Sequence, residues 1–245
     1  MGTVVSVDVR GLEDPAADDA LRSVFSWLRF VDETFSTYKE GSEISRLGRG
    51  ELPPADCSPD VRFVLDACER LRTETAGYFD SHAAGSLDPS GFVKGWSVEV
   101  ASSMLADRGS TNHCINAGGD VRVRGVPEDG RMWNVGVVHP HDRSALTTVV
   151  AVRDAGVATS GTAERGAHVF DPFSHEPVTD LLSVTIVGPE LAYTDAYATA
   201  AFAMGHRAPE WLATLANHES YVIDAGGFAW WTPGFVRYAP ALVGS

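Results

Sequence analysis

Asp195 and Thr199 stand four positions apart, so on a helix their side chains share one face. A carboxylate and a hydroxyl are hard oxygen donors of the kind Mg²⁺ takes, with water or phosphate oxygens completing its octahedron. Taken alone, the same spacing better suits an aspartate in solvent and a threonine bonded back to its own helix. Lys94 lies between Val93 and Gly95 in the run Leu87 to Trp96, a glycine-bounded junction between loop and helix. There it can reach a phosphate or a polar ring atom, or simply solubilise the surface. Asn116-Ala117-Gly118-Gly119-Asp120 reads as a tight polar turn entering a strand, able to offer backbone groups to a ligand or to be no more than a turn. Ala158-Thr159-Ser160-Gly161-Thr162 is a run of small, mostly hydroxyl-bearing residues, followed by His168-Val169-Phe170-Asp171-Pro172. Histidine has an unperturbed pKa near neutrality, so His168 can serve as a general base or as a structural residue before a turn.

These residues need a scaffold. Met1 to Asp8 alternates like a strand, and Leu21, Val24, Phe25, Leu28, Val31 and Phe35 form the apolar stripe of an amphipathic helix behind Asp18 and Asp19. Ser58 and Pro59 read as the cap and first residue of a second helix that stops near Gly77. The stretch from Gly77 to Gly95 is rich in Gly, Ser, Ala and Pro, so it is expected to be a loop, with a helix resuming over 96–107. Residues 121–124, 133–138, 147–152 and 183–187 look like strands, 191–204 like an alanine-rich helix and 209–217 like a short one. Strands near 220–224 and 228–237, joined through Gly226-Gly227, close the chain. Early helices followed by strands at hairpin spacing imply an α+β fold with a mixed or antiparallel sheet. The 245 residues suit one large domain or two intimately joined ones.

Composition narrows the partners. Thirty-three acidic against nineteen basic residues give a net charge of −14, which argues against nucleic acid as a ligand. A phosphate-bearing small molecule is compatible with it, because one lysine or metal ion can reverse the local potential. Cys57, Cys68 and Cys114 form no CxxC pair, so free thiols are expected rather than disulfides or a thiolate zinc site. No GxGxxG follows a first strand, so doubly wound dinucleotide binding lacks its signature. There is no run of about 20 apolar residues for a membrane helix. Nor does the beginning read as a secretory signal, which makes a soluble, cytoplasmic chain the default expectation.

Taken together and in order, the motifs resemble the bacterial FAD:protein FMN transferase family, formerly described as thiamine-biosynthesis lipoproteins. The resemblance runs from Met1-Gly2-Thr3 through Phe35-Ser36-Thr37-Tyr38, Ser42 to Leu47 and Gly77-Tyr78-Phe79-Asp80. It continues through Val93 to Trp96, Asn116 to Asp120, Thr159-Ser160-Gly161, His168 to Pro172 and Thr194 to Thr199. It implies an enzyme that binds FAD and Mg²⁺ and attaches FMN through a phosphoester to a Thr or Ser hydroxyl of an acceptor protein, releasing AMP. It further implies that Asp195, Thr199 and the Gly91 carbonyl ligate the metal, and that Asp195 and His168 act in catalysis, His168 as the base. Met1, Asp80, Lys94, Asn116, Gly118, Gly119, Asp120, Thr159, Ser160, Gly161 and Asp171 match the flavin nucleotide site. Two features depart from the family's pattern. Only Ser81 to Val93 separates the Phe79-Asp80 motif from Lys94, and Asp88-Pro89-Ser90-Gly91 replaces an Asp-Leu-Gly-type run. The same residues also suit hydrolysis of FAD to FMN and AMP, or a flavin carrier without turnover.

Overall fold

The structure is a computed structural model that describes residues 2–127, 130–162 and 169–243. In chain order, β1 (Val5–Arg10), α1 (Asp14–Phe35), α2 (Glu43–Gly48), α3 (Pro59–Glu74) and α4 (Ser90–Asp107) come first. They are followed by β2 (Asn112–Ala117), β3 (Asp120–Arg124), β4 (Trp133–His139), β5 (Asp142–Val152), β6 (Ala155–Gly161) and β7 (Leu181–Gly188). The chain closes with α5 (Leu191–Met204), α6 (Ala208–Leu212), β8 (Glu219–Asp224) and β9 (Ala229–Trp231). Seven strands pair antiparallel in the order β1-β2-β3-β6-β7-β8-β9, and β4 and β5 form a separate antiparallel hairpin. The fold is α+β, with an antiparallel sheet.

Alternation along the strands divides the apolar side chains between two cores. Ile115, Ala117, Val184, Ile186 and Val222 join the core built with the helices. Val121, Val123, Val157, Val187, Tyr221 and Ile223 join a second core with the β4–β5 hairpin and Phe235. The sheet therefore lies between a helical layer and the hairpin. On α1, Ala20, Val24, Leu28, Val31 and Phe35 repeat at three to four residues and are buried. The Ser58 hydroxyl accepts from the Val61 N–H, and Pro59 opens α3. Cys57 and Cys68 are buried and Cys114 half-buried, all as free thiols, and burial pushes Cys68 up to about 12.

Several boundaries depart from expectation. Helix α4 starts at Ser90 and not at 96, so Gly91, Lys94 and Gly95 are helical rather than parts of a loop. Asp88 Oδ1 accepts the Ser90 N–H, and the Pro89 carbonyl takes the N–H groups of Phe92 and Val93, which starts the helix despite two glycines in its first turns. The hydroxyl run near Thr159 is the end of β6, paired with β7 beyond the point where β3 stops pairing at Val157. Helix α2 and strands β2 and β6 are elements beyond those that the sequence pattern marks. Strand β9 stops at Trp231, and Pro233 opens a 3₁₀ turn.

Helices α4 and α5 cross closely because residue 95 has no side chain. A Cβ on Gly95 would lie 2.6 Å from the Leu191 carbonyl oxygen and 2.9 Å from Asp195 Cβ. Gly95→Ala should therefore cost about 2 kcal/mol in urea unfolding, although alanine is intrinsically the better helix former by nearly 1 kcal/mol. Gly48→Ala, whose Cβ would meet Leu87 at an ordinary 3.6 Å, should be close to neutral.

Candidate active site

The crossing of α4 over α5 brings Lys94, Asp195 and Thr199 to a cavity of about 380 Å³. Asp195, 2% exposed, sits on the inner face of α5, and its Oδ2 accepts the Gly95 N–H at 3.0 Å. Lys94 Nζ lies 2.5 Å from Asp120 Oδ2 and 3.6 Å from Asp195 Oδ1. Asp120, 1% exposed at the start of β3, uses its other oxygen to accept the Thr159 N–H at 3.0 Å. One turn along α5, Thr199 Oγ1 is 3.3 Å from Ser160 Oγ. A Cβ on Gly91 would lie 3.5 Å from Thr199 Cγ2, so the backbone of α4 at Gly91 runs beside Thr199. The solvent-facing alternative for Asp195 does not describe this arrangement.

Of the residues singled out in the sequence, Asp80, Gly91, Lys94, Thr159, Ser160, Gly161, Asp195 and Thr199 line the cavity. Asp120 reaches it through Lys94. Asn116, Gly118 and Gly119 are not among its lining residues. Their turn joins β2 to β3, with Asn116 Oδ1 accepting the Gly119 N–H and Gly118 donating to the Val4 carbonyl. Gly118, at φ +61°, backs onto Thr3, whose Oγ1 would be 2.2 Å from an added Cβ. Asp171 also stands off the cavity wall. Its carboxylate accepts the Phe173 N–H, while Val169 and Phe170 provide the wall at that point. Met1 and His168 lie outside the described residues.

The model of the ApbE family matches residues 1–85 and 81–223. The chain belongs to the ApbE family. Curated proteins named FAD:protein FMN transferase are similar to it. That of Vibrio cholerae is 26% identical over 64% of this chain and 50% of its own length, and that of Salmonella typhimurium is 25% identical over 97% and 87%. The chain thus spans about half the length of the first curated relatives it matches. Two solved structures share the fold, a flavin transferase ApbE from Vibrio cholerae and the ApbE protein of Thermotoga maritima. Their TM-scores are both 0.84, at 20% and 19% identity, with 97% of this chain and 96% of theirs covered.

The electrostatics of this ApbE-family cavity turn on two buried carboxyls served by one ammonium. Burial, and then the neighbouring Asp120 carboxyl, hold Asp195 well above the usual carboxylate range, while Lys94 and the Gly95 N–H pull it down. A divalent cation beside Asp195 would favour its charged form. The nearby donors, the Asp195 carboxylate, the Thr199 hydroxyl and the Gly91 carbonyl, are all hard oxygens and fit Mg²⁺. In a regular helix the N–H of residue 95 would face the carbonyl of residue 91, and here the Gly95 N–H donates to Asp195 Oδ2. Among the described residues no three His, Cys, Asp or Glu side chains cluster as a metal site.

Other lining residues were not singled out as site residues by their chemistry. The segment Ser36-Thr37-Tyr38 at the end of α1 and Tyr78-Phe79 after α3 also line the cavity. Tyr38 is 91% exposed, an unusual position for a large ring, and an aromatic in the polar stretch between two helices was the signal available. Phe79 lies under Gly91, 3.2 Å from where a Cβ would be. No helix among the described residues is long and apolar enough to cross a membrane.

Proposed function

We propose that the cavity binds FAD and that the chain transfers its FMN moiety to a Thr or Ser hydroxyl of an acceptor protein, with release of AMP. The observation that carries this reading is the meeting of Asp195, Thr199, Lys94 and Asp120 at one cavity, in a family whose curated members include FAD:protein FMN transferases. The volume lies within the range of small-molecule sites. In the reaction the acceptor oxygen bonds to the flavin-side phosphorus and the bond from that phosphorus to the bridging oxygen breaks. AMP leaves with the bridging oxygen, and the hydroxyl proton passes to a base.

Each residue then has a task. Asp195, Thr199 and the Gly91 carbonyl would hold Mg²⁺, which when bound draws charge from the pyrophosphate oxygens and eases departure of AMP. Lys94, anchored by Asp120, places an ammonium where the nucleotide's phosphates or a polar ring atom can meet it. Thr159 and Ser160 offer short hydroxyl donors, and Asp80 lines the same cavity. The turn Asn116 to Gly119, Met1, Gly161 and Asp171 complete the proposed nucleotide site on the strength of the family resemblance. His168 is the base in the same reading, because an acceptor hydroxyl ionises too little near neutral pH without one.

Mass spectrometry of a candidate acceptor peptide incubated with the protein, FAD and Mg²⁺ tests the reaction class. An added FMN on Thr or Ser together with AMP is the expected result. Free FMN and AMP with an unmodified peptide would instead indicate hydrolysis, and bound FAD without AMP a carrier. Thr199→Ala removes a neutral oxygen and no charge, so AMP release should fall by roughly tenfold, with part of the loss recovered at raised Mg²⁺.

A further inference from the structure

Five residues beyond Lys94 on α4 lies Glu99, and two beyond Asp120 on β3 lies Arg122. Arg122 Nε donates to Glu99 Oε1 at 2.9 Å, and Glu99 Oε2 accepts the Leu191 N–H, the first of α5, at 2.7 Å. Arg122 also donates to the Val123 carbonyl, and its side chain is 7% exposed against 18% for Glu99. Glu190, the cap residue of α5, makes no side-chain capping bond, so the carboxylate that meets this helix end comes from α4. Alternation along β3 sends Asp120 and Arg122 to the helical side of the sheet while Val121 and Val123 enter the second core.

The two sets are parallel rungs across the same three elements. Lys94, Asp120 and Asp195 form one, from α4, β3 and α5. Glu99, Arg122 and the Leu191 N–H form the other, with the α4 and β3 charges interchanged. Leu191 is one turn before Asp195, and the Leu191 carbonyl is the nearest atom that a Cβ on Gly95 would meet. A carboxylate at the start of α5 is further favoured by the helix dipole.

We propose that Glu99 and Arg122 are positioning residues, a clamp on the first turn of α5 that sets Asp195 against the Gly95 N–H and Lys94. The clamp's bearing on catalysis rests on the transferase reading, whereas its bearing on Asp195 does not. Glu99→Ala removes both bonds, and Glu99→Gln keeps an oxygen for the Leu191 N–H while losing the charge. Val150→Ala, in the hairpin core beyond the sheet, is the control for a general loss of stability.

The direct readout is amide hydrogen exchange in metal-free protein at Gly95, relative to Leu105 further along α4. Glu99→Ala should raise the Gly95 rate relative to Leu105 about tenfold, while Glu99→Gln stays within about threefold of the parent and Val150→Ala leaves the ratio unchanged. In the transfer assay Glu99→Ala should then lower kcat about tenfold with the acceptor KM unaltered. An unchanged Gly95 ratio in Glu99→Ala, or the same change in Val150→Ala, overturns the clamp. A tenfold faster Gly95 exchange in a protein whose parent forms no AMP leaves the clamp standing and removes the transferase reading instead.

Discussion

Asp195→Ala is expected to lower FAD-dependent AMP release by on the order of 10²–10³-fold, well beyond the effect of Thr199→Ala, because it removes charge as well as an oxygen. The side chain is buried, lines the cavity and is held by the Gly95 N–H. A second readout separates metal binding from chemistry. Mg²⁺ should raise the Tm of the parent and leave that of Asp195→Ala nearly unchanged. The parent's response should also depend on pH. Because the folded-state pKa of Asp195 is raised, its carboxyl favours the fold when protonated, and that contribution is lost as pH rises from the ordinary carboxylate range through the raised value. Metal-free protein should thus lose stability over that window, Mg²⁺ should restore it, and Asp195→Asn should flatten the slope. Equal AMP release by Asp195→Ala and the parent would overturn the metal assignment.

Lys94→Met should be the most destabilising of the site substitutions, by about 3 kcal/mol at pH 8 in metal-free protein. Asp120 and Asp195 are each almost fully buried, and Lys94 is the ammonium paired with both. Without it, one carboxyl must keep a proton or both must be charged without that partner. Lys94 pulls the Asp195 pKa down, so its loss raises that pKa further and extends the destabilisation as pH rises. At pH 5 the loss should be smaller, since a shared proton substitutes for the missing charge. Urea unfolding at the two pH values measures the difference, and an equal loss at both would show that packing of the lysine stem dominates. Lys94→Arg should keep the charge but not the fit, because the planar guanidinium is bulkier than the ammonium that now contacts Asp120 Oδ2 at 2.5 Å.

The order of the polar motifs along the chain was enough to suggest the family, and periodicity was enough for the elements with one wet face. Helices α1 and α3 show their apolar stripes because solvent lies on their other side. Helix α4 shows no such stripe. Its first turns carry two glycines, and buried residues occur on all its sides, so neither propensity nor period marks where it begins. That is why Lys94 reads as a loop residue and is a helical one. Strand β6 hides for a related reason: Gly156, Ala158, Ser160 and Gly161 are small because α5 and β7 press on them, and a run of small residues resembles a loop.

By itself the sequence determined which residue types were available and the helical face that Asp195 and Thr199 share, since a four-residue spacing is a local property of the chain. Their environment is not local. That Asp195 is buried, that Lys94 and Asp120 meet it, and that Ser160 rather than a residue of α5 faces Thr199 are outcomes of tertiary structure. They depend on the close crossing of α4 and α5 at Gly95 and on the antiparallel neighbours β3 and β6, which join positions up to a hundred residues apart. Charge and burial act through distance in space, so the electrostatics of the site emerge only when those layers are packed.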